Sequence, residues 1–253
     1  MNIWNAARLG VFVLTTLVPI RRLGRDIDRA RAEGDDAREQ EGIRLAENDW
    51  GPRIFRHYGV RTELSGDLDL PDGGVLFVSN HCGYGDIPLF MDAIRTKQFG
   101  FVAKEELSRI PVFNKWIVRV RSLMLARGDT RETLRVFAEG EDMLRRGFSL
   151  VIFPEGHRAK GGPMQPFQKG SLRLALRARV PIVPVSLKGS WECFEAHGFP
   201  TPGVIRFHVH PAIGTKDVER SEENALADRV EAMIRGKLEE WSSDSQQGGG
   251  VEQ

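Results

Sequence analysis

The sequence predicts an α/β protein whose central sheet is flanked by helices, and three observations carry that prediction. Short apolar runs recur at residues 75–79, 99–103, 122–126, 150–153, 182–187 and 204–209. Stretches of helical character separate them, at residues 87–95, 112–120, 130–146 and 171–179. Runs apolar on both faces need cover on both sides of a sheet, and intervening helices supply it. The chain has 253 residues, 41% of them hydrophobic, enough for one domain with a substantial core plus appendages.

Taken in order, the first element is the apolar run at residues 9–20, bracketed by Arg8 and by Arg21, Arg22 and Arg25. A spanning helix needs about 20 predominantly apolar residues, and this run is shorter. A core-packing helix would also fit the run. Trp4 and the flanking arginines favour a helix lying in or dipping into a membrane surface. A signal peptide does not fit, because positive charge follows the apolar stretch and no Ala-x-Ala site appears. Residues 21–49 carry dense charge of both signs and read as a solvated helical connector, broken at Gly34 into an N-terminal hairpin. Gly51-Pro52 then opens the main domain. The division is residues 1–49 for the membrane-associating segment and connector, 50–241 for the main domain, and 242–253 for a polar, Gly-rich tail expected to be disordered.

Within the main domain, Thr130 opens the longest internal helix. The last helix runs from Ser221, an N-cap candidate, to Trp241, with Leu226, Val230, Met233 and Leu238 as its apolar stripe. A net charge of +1 gives no sign of nucleic-acid binding, and two cysteines make no disulfide framework. The six histidines show no metal-ligand spacing, so no metal site is expected, and His208 and His210 read as surface residues of one strand.

The chemistry concentrates in two turns. In Asn80-His81-Cys82-Gly83-Tyr84-Gly85-Asp86, a histidine and an aspartate follow a buried strand. An imidazole is suited to take a proton near neutral pH, and a carboxylate can fix its tautomer. Five positions of a straight helix turn through about 500°, so the two side chains meet only if Gly83 and Gly85 let the backbone bend. Alone, the pair also fits a turn with a polar rim. Cys82, beside His81, reads as a bystander thiol. The second turn is Phe153-Pro154-Glu155-Gly156-His157-Arg158, again after an apolar run. No Gly-x-Ser-x-Gly elbow occurs, so a serine acyl-enzyme has no obvious nucleophile.

These blocks together resemble the glycerolipid acyltransferases of the PlsC type. His81 and Asp86 match the family's His-x4-Asp pair, Arg127 its Arg-terminated strand block, Glu155, Gly156 and Arg158 its Glu-Gly-x-Arg block, and residues 181–185 its Pro-containing strand. The resemblance spans residues 50–214. It departs at Gly83, where the family often has Ser, at His157 and Ala159 in place of Thr and Ser, and at Arg121 in place of Gly.

The resemblance implies a mixed central sheet and transfer of a fatty acyl group to the sn-2 hydroxyl of 1-acyl-sn-glycerol-3-phosphate, giving phosphatidic acid. The donor would be acyl-CoA or acyl-carrier protein, with no cofactor. His81 would be the general base, oriented by Asp86, and Lys104 would stabilise charge near the thioester. Arg127 and Arg158 would hold the acceptor phosphate, since a guanidinium fork matches a phosphate monoester. Glu155 would contact the acceptor or hold Arg158, and Gly156 would allow close backbone approach. Arg119 and Arg121 either steer an anionic lipid or are solvated, and Lys169 reads as a contact to donor phosphates. Partners would be lysophosphatidic acid, the acyl carrier and a membrane surface, on the cytoplasmic face of the inner membrane. Two alternatives stay open: another lysophospholipid or lyso-aminolipid as acceptor, or a non-catalytic lipid-binding module.

Overall fold

The structure, a computed structural model, describes residues 20–104, 113–125, 130–168 and 170–247. Seven strands form one sheet: β1 (Val60–Gly66), β2 (Leu76–Ser79), β3 (Phe99–Lys104), β4 (Leu123–Leu125), β5 (Ser149–Ile152), β6 (Ile182–Lys188) and β7 (Gly203–Val209). Their order across the sheet is β1-β7-β6-β2-β5-β3-β4. From β6 to β4 all neighbours are parallel, while β7 runs antiparallel to β6 and carries β1 parallel to itself. The sheet is therefore mixed, as the resemblance implied.

Around it lie α1 (Arg21–Glu33), α2 (Asp36–Tyr58), α3 (Asp86–Ala93), α4 (Phe113–Arg119), α5 (Thr130–Arg145), α6 (Arg173–Ala178), α7 (Ser190–Phe194) and α8 (Glu223–Gln247). Alternation along the strands divides the core. Phe77, Val151, Val183 and Val185 face Leu89 and Phe90 of α3, while Leu76, Val78, Leu150 and Ile182 face α5, α6 and α8. Successive side chains of a strand point to opposite faces, so each buried strand serves both layers.

Six strands fall where the apolar runs put them. β1 was not legible as a strand because it is an edge, exposed over most of its length, with Arg61 and Glu63 where a central strand would carry apolar residues. α7 is too short to leave a periodic signal.

The N-terminal region differs most from expectation. The apolar segment at residues 1–19 lies outside the described residues. The charged stretch after it is a packed hairpin rather than a solvated connector: α1 and α2 bury Ile27, Ala30, Ile43 and Ala46. Glu39, fully buried, accepts from Arg31 at 2.8 Å and takes both Nε and Nη2 of Arg121 at 2.7 Å. Glu39 and its arginines thus satisfy one another, while Arg21, Arg22, Arg25, Asp26 and Arg29 face water. Gly51-Pro52 does not start a new unit, because α2 runs straight through it. An interior proline costs a helix about 3 kcal/mol, and burial of Trp50, Ile54 and Phe55 on the flanking turns offsets that. Among the described residues, no helix is long and apolar enough to cross a membrane.

The C-terminal expectation also needs correction. α8 continues to Gln247 rather than ending at Trp241, with Ser242 and Ser243 bonding the carbonyls of Leu238 and Glu239. Its start is set by a single 3-10 turn at Arg220–Glu222, whose capping box joins Glu219 and Glu222, not by Ser221. The rest of the tail, residues 248–253, lies outside the described residues.

His210 is buried, not exposed, with Nε2 2.8 Å from Ser186 Oγ, while His208 Nδ1 lies 2.9 Å from Ser65 Oγ. Burial, with His208 and Lys237 nearby, lowers His210 from 6.5 to about 4. The unfolded chain protonates near 6.5 and the folded protein only near 4, so this contribution is complete above pH 6.5 and lost as pH falls through about 4. Urea-unfolding midpoints should therefore decline for the wild type over that window and decline less for His210→Gln. Equal slopes would assign the acid sensitivity to other groups.

Candidate active site

The parallel strands β6, β2, β5 and β3 end on one edge of the sheet, and His81, Asp86, Glu155, Gly156 and Arg158 follow β2 and β5 at that edge. Ligand sites of open α/β sheets form outside the carboxyl ends of strands. β2 runs into Asn80 and His81, β5 into Phe153 and Glu155, and β6 into Gly189 and Ser190.

His81 and Asp86 meet as the bent turn required. His81 Nδ1 lies 2.6 Å from Asp86 Oδ2. The same oxygen accepts the backbone N–H of Cys82 at 2.7 Å and of Gly83 at 3.1 Å, so the chain wraps the carboxylate before α3 begins. Asp86 Oδ1 accepts the Ser190 hydroxyl. Asp86 is fully buried, whereas the His81 side chain keeps 19% of its exposure. The acceptor on Nδ1 fixes the tautomer with Nδ1–H, leaving Nε2 as the basic nitrogen. Nε2 has no partner among the described residues. Phe153 stacks on the imidazole with centroids 4.0 Å apart and an interplanar angle of 15°, which fixes the ring plane.

Glu155 holds the two turns together. Its Oε1 accepts His81 N at 2.7 Å and its Oε2 accepts Gln165 N at 2.7 Å. Burial raises its pKa, against the pull of those two N–H donors. Each oxygen takes one backbone N–H, so Glu155 ties the His81 turn to the loop at Gln165. Ala159 N and Lys160 N reach the carbonyls of His81 and Cys82 at 2.7 and 3.1 Å and complete the seam. Gly156 has φ of 72°, a left-handed conformation that favours glycine, and a Cβ there would also push the Gln168 carboxamide aside.

Arg158 lies on the same seam, its Nη1 2.6 Å from Glu195 Oε2 and its guanidinium carbon 3.7 Å from the Tyr84 ring centroid. Lys104 is the last residue of β3, and the role given to its side chain lies outside what the structure describes. Arg127 and Lys169 also lie outside the described residues. Arg119 and Arg121 serve the scaffold. Arg119 pairs with Asp28 at 2.7 Å, and Arg121 with Glu39, so neither is a free steering charge.

Sequence reasoning missed Ser190, Phe153, Glu195 and Asn80. Asn80 bridges β2 and β6, donating to Leu187 O at 2.8 Å and accepting Leu187 N at 2.9 Å. Its place just before His81 was visible, but its partner 107 positions away was not. Ser190 follows a Lys-Gly turn that carries no catalytic signature.

The Cys82 sulfur lies 3.4 Å from Leu187 O and 3.3 Å from Asn80 Nδ2, beside a cavity of about 320 Å³. Burial pushes its thiol well above the usual range, and Asp86, Glu192 and Glu155 push it the same way. Cys193 is buried and raised by burial too. Both thiols should react slowly with a neutral-pH disulfide reagent in the folded protein and fully in denaturant. A fast-reacting thiol in the native state would contradict this geometry.

A family model described as Acyltransferase matches residues 61–188. A protein of Borreliella burgdorferi named 1-acyl-sn-glycerol-3-phosphate acyltransferase is 29% identical over 183 residues, covering 72% of this chain and 73% of its own length. The human 1-acyl-sn-glycerol-3-phosphate acyltransferase alpha is 30% identical over 198 residues, covering 76% of this chain and 69% of its own. The crystal structure of the 1-acyl-sn-glycerophosphate (LPA) acyltransferase PlsC from Thermotoga maritima superposes with a TM-score of 0.70 at 28% identity. It covers 92% of this chain and 88% of that one.

Proposed function

From the premise that the chain belongs to the acyltransferase family, we propose that it acylates the sn-2 hydroxyl of 1-acyl-sn-glycerol-3-phosphate, giving phosphatidic acid. The observation that carries the reading is the imidazole held by Asp86 through Nδ1, with Nε2 left to act. A thioester of coenzyme A or of acyl-carrier protein is the donor, and no further cofactor takes part.

His81 Nε2 removes the hydroxyl proton as the oxygen attacks the thioester carbonyl. The new C–O bond forms, the carbonyl π electrons pass to oxygen, and Asp86 stabilises the imidazolium. Collapse of the tetrahedral oxyanion breaks the C–S bond. The departing thiolate takes the proton from His81, and no atom is left on the protein. Direct transfer suits this site, since the Cys82 thiol is engaged with Leu187 O and held protonated by burial. Lys104, at the end of β3, is proposed to stabilise the oxyanion. Arg158 and Arg127 are proposed to hold the acceptor phosphate.

The catalytic pair is expected to act as one unit. His81→Ala should lower turnover of lysophosphatidic acid by at least about 10²-fold. Asp86→Asn should be severely impaired, and the double variant scarcely worse than His81→Ala. Arg158→Lys should weaken acceptor use because an ammonium lacks the planar fork. Near-normal turnover by His81→Ala would falsify the general-base assignment.

We place the protein at a membrane surface, on the cytoplasmic side of the inner membrane, because acceptor and product carry long chains. The support is the apolar run at residues 9–20 next to Arg21, Arg22 and Arg25, which are exposed at the start of α1. Each such arginine is worth about 1 kcal/mol against anionic headgroups. Deleting residues 1–19 should release much of the protein from anionic liposomes and reduce activity on bilayer-embedded acceptor more than on a short, soluble analogue. Equal loss on both acceptors would mark the segment as part of the core instead.

A further inference from the structure

The turn of His81 and the loop of Arg158 are also joined through a third element, the residue that follows α7. Glu195 accepts the Tyr84 backbone N–H at 2.5 Å through Oε1 and Arg158 Nη1 at 2.6 Å through Oε2. Its side chain is 18% exposed and that of Arg158 is 20%, so the pair is largely withdrawn from water. The Tyr84 ring covers one face of the guanidinium. A Cβ at residue 83 would lie 2.5 Å from Glu195 Oε1 and 3.3 Å from Trp191 Cα. Gly83 therefore vacates the volume that the Glu195 carboxylate occupies, and the reason for glycine there is space.

We propose that Glu195 is a positioning residue for the acceptor: it holds Arg158 beside the turn of His81, so that the guanidinium is already in place when the acceptor phosphate binds. This rests on the acceptor reading of Arg158 given above. Both oxygens of Glu195 are already taken by protein donors, so the carboxylate is anchored from two sides. Only Nη1 of Arg158 is engaged among the described residues, which leaves the Nε–Nη2 edge as a bidentate fork for a phosphate. With one N–H anchored and one face covered, the guanidinium has little freedom left to lose on binding. The charge of Glu195 also repels a phosphate, and the sign of the effect of removing it therefore decides between support and competition.

The test is steady-state kinetics of the full chain in mixed micelles, with lysophosphatidic acid or an uncharged monoacylglycerol as acceptor and acyl-CoA or acyl-carrier protein as donor. Glu195→Ala should raise the acceptor KM about tenfold, with kcat and donor KM within about twofold of wild type. Glu195→Gln, which keeps the shape but turns an NH2 toward one of its two donors, should move it the same way and carries the test if the alanine variant does not fold. Added to Arg158→Ala, neither substitution should raise the KM further, and on monoacylglycerol neither should act. An acceptor KM that falls or stays unchanged, or a loss confined to kcat, overturns the positioning role. Wild-type protein inactive on lysophosphatidic acid with both donors overturns the acceptor reading itself, and this role with it.

Discussion

A carboxylate with no exposure to water has to be surrounded by donors, and Asp86 imposes that requirement on the whole site. Its four hydrogen bonds come from His81, from the N–H groups of Cys82 and Gly83, and from Ser190. Two of those donors exist only if the chain curls tightly before α3. A third exists only if β6 delivers α7 to the same edge as β2. The sheet order puts β6 and β2 side by side, so the topology and the electrostatics of one side chain are the same constraint. Glu155 repeats the arrangement on the other flank, between β2 and β5. Two buried acids thus brace the turn that presents a partly exposed imidazole.

The scaffold handles charge in a similar way at a distance. Glu39 is enclosed by Arg31 and Arg121, and Arg31 also reaches the carbonyl of Arg119 at 2.6 Å. Arg121 adopts φ of 58° to do so, a left-handed conformation that a non-glycine residue accepts only under local constraint. This explains its departure from the family's glycine: the position keeps the conformation glycine would favour, while the side chain ties α2 to the end of α4. Breaking a buried pair by removing one partner leaves an uncompensated charge, so the hairpin and the sheet edge are held together by necessity as much as by apolar packing.

How much of this was legible follows from what each residue answers to. Strands buried on both faces, such as residues 76–79 and 149–152, declare themselves by composition, and six of the seven were read. The contact of His81 with Asp86 was legible because the two glycines between them let the turn bend, as the spacing required. β1 was not, because an edge strand answers to solvent on one side. Ser190, Asn80 and Glu195 were not, because each acts on a partner far away in the chain. The packed face of the α1–α2 hairpin was missed because charge density was taken for exposure throughout, when Ile27, Ala30, Ile43 and Ala46 are buried and Glu39 is enclosed by its arginines. Pro52 was read as a boundary because local propensity was weighed without the tertiary burial that overrides it.

The unbroken course of α8 has a practical side. Leu238 and Ser242, near the end of that helix, line the same cavity as Asn80, Cys82 and Glu155, and Lys188 Nζ donates to Ser242 Oγ at 3.0 Å. This stretch of α8 is therefore a neighbour of the His81 turn. Helix ends fray more readily than helix middles, so loosening there would reach the back wall of the turn first. A fluorophore attached at Ser243, one residue past that wall, would sense rearrangements of it as the protein works.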